Sequence, residues 1–217
     1  GIVVDPDVDR LALISEDGSM FGEEYTLVAC ADYVLGRLGG GNTVSNLSSS
    51  RALRDVTEKH GGKYTASAVG EVNVVQMMKD TDTVIGGEGN GGIIYPASHY
   101  GRDSLVGVAL FLSHLAHKKM SCKALRDSYP SYFMSKNKIQ LTPQIDVDKI
   151  LETMASKYKD EDVNIIDGVK IDFDTEWVHL RKSNTEPIIR IYTESTSQEN
   201  ADTLAERFIT EIAQIIK

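Results

Sequence analysis

Two short polar segments, one near each end of the chain, contain the residue types that can do chemistry. The first, residues 5–10, places the carboxylates of Asp5, Asp7 and Asp9 at alternate positions directly after an apolar run, with Arg10 following. In an extended turn the carboxylates can converge on one point, where they repel one another unless a cation neutralises them. Oxygen ligands suit Mg²⁺, and Arg10 can pair with a phosphate or balance charge. The alternative is an acidic turn solvated at a surface.

The second segment, residues 181–187, reads Arg-Lys-Ser-Asn-Thr-Glu-Pro and lies between two strand-like runs. A planar guanidinium, hydroxyl groups and backbone N–H groups together make a cradle for an oxyanion such as phosphate. The expected donors are Arg181, Ser183, Asn184 and Thr185, with Arg190 farther along the next strand. The alternative is a polar hairpin connection. Together, a hard-cation site and an oxyanion site indicate a protein that handles a phosphorylated substrate.

A third segment, residues 86–92, contains five glycines around Glu88 and Asn90. Glycines let the backbone approach a ligand closely, and the two polar side chains are suited to hydrogen bonds with sugar hydroxyls. The alternative is a flexible loop between strands. Arg102 and Asp103 precede a predicted helix, so they are candidates for a binding role, and the alternative is a simple helix cap. The histidines have no metal-ligand spacing, and we expect surface or core roles for His60, His99, His114, His117 and His179.

The elements that must position these residues alternate between strands and helices in the first part of the chain. The patterns predict strands at 11–15, 43–47, 64–68, 83–85 and 93–95, and helices at 23–38, 51–60, 73–79 and 105–117. The segment 86–92 is predicted to be a loop. This alternation predicts a Rossmann-like mixed α/β domain with a largely parallel sheet.

The pattern changes after Pro130, and the domain boundary is expected around residues 131–138. Strands are predicted at 133–141, 177–180 and 188–193, with a hairpin over 163–173 centred on the two-residue turn Asp167-Gly168. Helices are predicted at 146–159 and 198–216. These elements predict a separate α+β domain, with helices on one face of an antiparallel sheet.

Composition limits the class of protein. The net charge is −9 and no basic stripe is present, which argues against binding to nucleic acid. No apolar run reaches the length of a membrane span, and no signal peptide is recognisable. Cys30 and Cys122 are isolated, which favours reduced thiols in a cytoplasmic protein. The chain starts without Met, inside a strand-like run, so we expect it to be the C-terminal part of a longer protein.

In their order along the chain, the three segments resemble motifs of the α-D-phosphohexomutase superfamily, phosphomannomutase/phosphoglucomutase type. That four-domain family has a D-x-D-x-D-R metal loop, a G-E-x-x-G sugar loop and an R-x-S-N-T-x-P phosphate loop. Here these are residues 5–10, 87–91 and 181–187. The resemblance implies that 1–21 is a remnant of the second domain, 22–134 the sugar-binding third domain, and 135–217 a phosphate-binding fourth domain with a TATA-binding-protein-like fold.

The resemblance implies an activity, namely reversible phosphoryl transfer between the 1- and 6-positions of a hexose through a bisphosphate intermediate. Asp5, Asp7 and Asp9 would hold Mg²⁺ with Arg10 in support, and a glucose 1,6-bisphosphate-type activator is implied. Glu88 and Asn90 would bind the sugar. The other implied substrate-binding residues are Arg181, Ser183, Asn184, Thr185 and Arg190. The partners would be a phosphorylated hexose and the protein's own N-terminal domains.

The chain departs from the family pattern in two places. The family's phosphoserine, in a T-A-S-H-N-P loop, is absent, and Ser67 in Thr-Ala-Ser-Ala is not expected to replace it. We therefore expect these residues to be inactive alone. In addition, Glu71 and Gly92 stand where some members have histidines, which leaves the hexose open.

Three alternatives remain. One is a phosphoglucosamine mutase of the same superfamily. Another is a haloacid-dehalogenase-type phosphatase, which also begins with Asp-x-Asp after a strand, although Asp9 then stands where Thr or Val is usual. The last is a sugar-phosphate-binding module without catalysis.

Overall fold

The structure is a computed structural model that describes residues 1–142, 145–183 and 186–216. It divides into two compact units, Gly1–Pro130 and Ser131–Lys217. The predicted fold class, a mixed α/β part followed by an α+β part, is confirmed. The assignment of residues to three family domains stays a prediction. None of the helices over the described residues has the length and apolar character that a membrane span requires.

The first unit begins with a hairpin that carries the acidic segment. Strand β1 (Ile2–Val4) pairs antiparallel with β2 (Leu11–Leu13). Leu11 and Leu13 are buried, whereas all of β1 is exposed. The Leu11 N–H donates to the carbonyl of Gly91 at 3.0 Å, and the Val8 carbonyl accepts from the Ser104 hydroxyl at 2.8 Å. The hairpin is therefore attached to the rest of this unit within the acidic turn and directly after it.

The main sheet of the first unit has four strands in the order β4-β3-β5-β6. Their bounds are β3 (Asn42–Asn46), β4 (Tyr64–Ser67), β5 (Thr83–Glu88) and β6 (Gly92–Ile94). The pairs β3–β4 and β3–β5 are parallel and β5–β6 is antiparallel.

The prediction that 86–92 is one loop was wrong. Strand β5 continues through Gly86 and Gly87 to Glu88, so only residues 89–91 connect the strands. Close packing explains why a glycine stands at position 86. A Cβ added at Gly86 would lie 2.6 Å from the Val44 carbonyl oxygen and 2.8 Å from the Met78 sulfur. Gly86 thus reflects crowding inside the sheet and not a flexible connection.

The described residues of the first unit also form five helices. They are α1 (Glu23–Leu38), α2 (Ala52–Lys59), α3 (Glu71–Asp80), α4 (Ser104–Lys118) and α5 (Cys122–Asp127). The predicted bounds of α1 are confirmed, because Gly39 ends the helix in the left-handed conformation with its N–H on the Leu35 carbonyl. The Asp103 carboxylate caps α4 by accepting from the Val106 N–H at 3.0 Å. No bounds were predicted for the short helix α5, although Cys122 lies in a helix-like stretch of the sequence.

The second unit is an antiparallel sheet with two helices. Its strands are β7 (Phe133–Gln140), β8 (Asp162–Asn164), β9 (Val169–Asp172), β10 (Trp177–Lys182) and β11 (Ile188–Ser195), in the order β7-β11-β10-β9-β8. The helices are α6 (Val147–Lys157) and α7 (Gln198–Ile216). Alternate strand residues such as Ile171, Val178 and Ile191 pack with Phe208 in one core. The predicted hairpin is confirmed by the antiparallel pairing of β8 with β9, but residues 165–168 connect the strands, so the predicted two-residue turn was wrong.

Candidate functional site

The acidic turn of the first unit brings its three carboxylates together. The Val8 N–H donates to the Asp5 carbonyl at 3.1 Å, and Val8 has a φ of 59°. The Asp5 carboxylate then accepts from the backbone N–H groups of Asp9 at 3.2 Å and Arg10 at 3.1 Å. In this tight turn one oxygen each from Asp5, Asp7 and Asp9 lies within 4.8 Å of the others.

The electrostatics of the turn fit a hard cation. Burial raises the pKa of the Asp9 carboxyl, although the positive charge of Arg102 opposes the shift. Desolvation acts in the same direction on Asp5, but hydrogen bonds led by that from the Arg10 backbone leave its pKa below the ordinary value. Asp9 Oδ1 is buried and accepts no hydrogen bond from any described residue. Clustered carboxylate oxygens, one of them unsatisfied, are the donor set that Mg²⁺ takes.

Glu88 lies at the end of β5 and is 6% exposed. Its Oε1 accepts from Asn46 Nδ2 at 2.9 Å and from the Gly70 N–H at 3.2 Å. Its Oε2 accepts from Arg102 at 3.1 Å. The predicted sugar-binding carboxylate is therefore held rigidly by three separate segments.

Asn90 lies in the short connection 89–91, where its Oδ1 accepts from the Gly92 N–H at 3.2 Å. A cavity of about 310 Å³ is lined by Asn90 together with Asp5, Arg10 and Glu23. The geometry thus places one residue of the predicted sugar loop beside two of the predicted metal loop. Glu88 does not line this cavity.

Arg102 is a residue whose place among the site's carboxylates the sequence did not predict. Its guanidinium pairs with Glu88 at 3.1 Å and Glu71 at 3.1 Å, and also with Asp9. The side chain is 15% exposed. The interpretation of Arg102-Asp103 as a helix start holds for Asp103 alone. The only sequence signal for Arg102 was a cation closely following the glycine-rich segment, and nothing local showed its acidic partners.

The phosphate segment of the second unit follows β10. Arg181 stands directly opposite Arg190 on β11, and Arg190 stands directly opposite Lys138 on β7. Directly paired residues point to the same face of a sheet, so three cations form one row across three strands. The Ser183 N–H donates to the Ile188 carbonyl at 3.1 Å, which places Ser183 beside this row. The predicted donors Asn184 and Thr185 lie outside the described residues.

The positive charges of this row are only partly balanced by nearby carboxylates. Arg181 lies 3.6 Å from an Asp167 carboxylate oxygen, and Arg190 lies 3.7 Å from one of Glu186. Like charges placed directly opposite each other destabilise a sheet, so the row is suited to a bound anion. Lys138 is exposed and has no ion pair with any described residue.

All five histidines have structural contacts, since His99 bonds the Asp103 carboxylate and His117 packs against the ring of Tyr33. His60 and His114 bond the buried Asp32 carboxylate at 2.7 Å and 3.1 Å, and Tyr129 donates to it. Desolvation would raise the pKa of Asp32, but the hydrogen bonds from His114 and His60 hold it well below its usual range. His179 is buried against the Asp167 carbonyl, and burial lowers its pKa to about 4.

Two sequence profiles of one protein family match the chain. The alpha/beta/alpha domain III of phosphoglucomutase/phosphomannomutase matches residues 22–132, and the C-terminal domain of phosphoglucomutase/phosphomannomutase matches residues 138–211. A phosphoglucomutase/phosphomannomutase of Thermococcus kodakarensis is 34% identical over the whole of this chain, which covers 48% of that protein. The chain thus spans about half the length of the curated relatives it matches.

Solved structures share the fold. A phosphoglucomutase/phosphomannomutase family protein of Burkholderia thailandensis has a TM-score of 0.81 at 24% identity, covering 97% of this chain and 45% of that one. The N-acetylphosphoglucosamine mutase of Aspergillus fumigatus, solved in complex with GlcNAc-6P and magnesium, has a TM-score of 0.64 at 16% identity, covering 95% and 50%.

Proposed function

Because the chain belongs to the phosphoglucomutase/phosphomannomutase family, we propose that it forms the cation-, sugar- and phosphate-binding part of a phosphohexomutase. The reaction is the interconversion of a hexose 1-phosphate and a hexose 6-phosphate through a bisphosphate intermediate. The observation that carries the proposal is the presence in one chain of a clustered trio of carboxylates and a row of cations beside Ser183.

The acidic turn is the proposed Mg²⁺ site. Asp5, Asp7 and Asp9 supply the oxygen ligands, and Arg10, half exposed beside Asp5 and Asp9, is free to turn toward a phosphate. When bound, the cation neutralises charge on a phosphoryl group in transfer. The protein's own contribution is to hold the three carboxylates close together through the tight turn at Val8.

The row of cations is the proposed anchor for the phosphate that does not react. Arg181 and Arg190 supply charge-assisted hydrogen bonds, Ser183 supplies a hydroxyl, and the sequence adds Asn184 and Thr185. Anchoring one end of a phosphosugar reduces the entropy that must be lost when its other end reacts. Lys138 extends the positive row by one strand.

Glu88 and Asn90 are the proposed sugar-recognition residues. The Glu88 carboxylate is fixed by Asn46, Gly70 and Arg102. A carboxylate fixed in this way accepts hydrogen bonds from hydroxyls at defined positions, which favours hexoses over flexible phosphate esters. A glucose 1,6-bisphosphate-type activator and a cytoplasmic location are part of the same proposal.

The residues of this chain bind and orient, and they do not carry the phosphoryl group. The 217 residues contain no T-A-S-H-N-P segment. Ser67, in the nearest equivalent, is 1% exposed in β4 and its hydroxyl donates to the Ala68 carbonyl at 2.9 Å. Ser67 is therefore a poor nucleophile, and the proposal assigns the phosphoserine to the protein's N-terminal domains.

The choice of hexose stays between a neutral and an amino sugar. Glu71 and Gly92 replace histidines of some family members, and a protein of the same fold was solved in complex with GlcNAc-6P, which supports keeping an amino sugar among the candidates. In the haloacid-dehalogenase-type alternative Asp5 would be the nucleophile. Asp9 then stands where Thr or Val is usual, and the segment 181–187 has no counterpart in that scheme, which favours the mutase.

The test is ³¹P NMR of the purified chain with Mg²⁺ and, in turn, glucose, mannose and glucosamine 6-phosphates. We expect the phosphate resonance of the preferred sugar to shift on binding, with neither 1-phosphate nor inorganic phosphate appearing. Steady release of inorganic phosphate would favour the phosphatase alternative, and formation of the 1-phosphate would contradict the assignment of the phosphoserine to other domains.

A further inference from the structure

Arg102 contacts three carboxylates that come from three separate segments of the first unit. One belongs to Asp9 in the acidic turn, one to Glu88 at the end of β5, and one to Glu71 at the start of α3. Two of these acids belong to different proposed sites, the cation site and the sugar site. A single guanidinium therefore bridges both.

The backbone and the surrounding space fix this side chain in place. The Arg102 N–H donates to Glu71 Oε1 at 3.0 Å, and Arg102 also forms a β-bridge with Ile94. A Cβ added at Gly92 would lie 2.4 Å from Arg102 Cδ, so the side chain passes over a position where only glycine fits. Arg102 is thus a packed part of this unit and differs from a mobile surface arginine, whose ion pairs contribute little.

The positive charge of Arg102 has opposite effects on the proposed cation site and on the proposed sugar site. A divalent cation on Asp5, Asp7 and Asp9 is repelled by a guanidinium already paired with Asp9. The same guanidinium supports Glu88, whose Oε2 accepts its hydrogen bond. We propose that Arg102 is a positioning residue that couples the two sites: it competes with the divalent cation for Asp9 and orients Glu88 toward the hydroxyls of a hexose phosphate.

Both halves of this inference rest on the proposed function, which supplies the cation and the sugar. Coupling through one residue is reciprocal. A cation that takes Asp9 leaves the guanidinium to Glu88 and Glu71, so the sugar carboxylate is held more firmly when the cation is present. The hexose phosphate must then raise the affinity for the cation by the same factor.

The test uses Arg102→Met, which keeps the packed stem of the side chain and removes its charge, and Arg102→Lys, which keeps a single charge. Arg37→Met is the matched control, since Arg37 lies in the last turn of α1 and makes none of these contacts. Mn²⁺ affinity is measured by electron paramagnetic resonance, and glucose 6-phosphate affinity by NMR titration. Thermal unfolding checks that each variant is folded.

Arg102→Met should bind Mn²⁺ more tightly and glucose 6-phosphate about tenfold more weakly, the loss expected for one charged hydrogen bond. Arg102→Lys should stay near the wild-type chain for Mn²⁺ and lose part of the sugar affinity. Arg37→Met should change neither.

Opposite signs in the two measurements are the signature of the proposal. A folded Arg102→Met chain that loses both affinities together, or changes neither, overturns it, because a merely structural arginine acts on both sites alike. If the wild-type chain does not bind glucose 6-phosphate, the proposed function fails. The Mn²⁺ affinity of Arg102→Met then still tests the competition for Asp9, because tighter binding supports it and unchanged binding contradicts it.

Discussion

Arg181 and Arg190 stand directly opposite each other on neighbouring strands, with their side chains on the same face of the sheet. Two guanidinium groups in this position repel each other, and only Asp167 and Glu186, at 3.6 Å and 3.7 Å, compensate them among the described residues. Such an arrangement is expected where a bound anion supplies the missing negative charge.

Arg181→Ala should therefore weaken the binding of a hexose 6-phosphate by about tenfold or more, since it removes a charged hydrogen-bond donor. Lys182→Ala is the matched control. Lys182 is the next residue on β10, but it pairs across the sheet with core residue Ile189 and its ammonium lies 3.2 Å from Asp148. NMR titration of both variants checks the prediction. Equal losses would mean that the effect is a general loss of positive charge.

Lys138→Ala should weaken the same binding less than Arg181→Ala, because the exposed ammonium is a point charge at the edge of the row. Its effect should also shrink as salt is raised from low to physiological concentration, since exposed charges are screened. The measurement is the same titration at two ionic strengths. A salt-independent loss would indicate that Lys138 makes a direct, desolvated contact.

The acidic turn should bind Mg²⁺ only weakly in this chain, because a substrate or enzyme phosphate normally completes the coordination of Mg²⁺ in such sites. Asp7→Asn should weaken binding further with little change in thermal stability, since Asp7 is exposed. Glu58→Gln, an exposed acid on α2, is the control for net charge. Calorimetry is the measurement, and micromolar affinity of the wild-type chain would show that the turn is self-sufficient.

Asp32→Asn should destabilise the first unit by about 2 kcal/mol, since it weakens buried hydrogen bonds to a charged group. The variant removes the charge of the carboxylate with which His60, His114 and Tyr129 form hydrogen bonds. The pKa of Asp32 is lowered in the folded protein, so its ionisation stabilises the fold above the unfolded value near 4 and that stability is lost at lower pH. The free energy of unfolding, measured with denaturant at neutral pH and in acid, should fall less on acidification in the variant than in the wild-type chain.

His179 should remain neutral well into the acid range. Burial lowers its pKa to about 4, against roughly 6.5 for an unfolded histidine. As pH falls below 6.5 the unfolded chain binds this proton first, so the second unit loses stability until the pH reaches the folded value. NMR of the imidazole resonances provides the check. A His179 titration midpoint near 6.5 in the folded chain would contradict the burial argument.

Local patterns were sufficient for the parts of this protein that depend on nearby residues. The predicted bounds of α1 and α7 are confirmed because apolar periodicity and, for α1, a terminal glycine specify them. The convergence of Asp5, Asp7 and Asp9 was also expected from alternate spacing, and the geometry bears it out. No bounds were predicted for helix α5 because its six residues are too few to show a period.

The remaining errors come from contacts between distant residues. Gly86 looked like a loop residue, although it lies in β5 because Val44 and Met78 leave no room for a side chain. Arg102 looked like part of a helix start, since Asp9 and Glu71 are far from it in sequence. Lys138 and Arg190 become neighbours only through strand pairing, which the sequence did not predict.

The most direct test of the central claim is an NMR titration that maps where glucose 6-phosphate binds the isotopically labelled chain in the presence of Mg²⁺. We predict that backbone amide shifts concentrate at Arg181, Ser183 and Arg190, with a second set at Glu88 and Asn90. No change is expected around Asp32. Saturable binding that leaves residues 181–190 unperturbed would contradict the account, because the phosphate would then be held somewhere other than the row of cations.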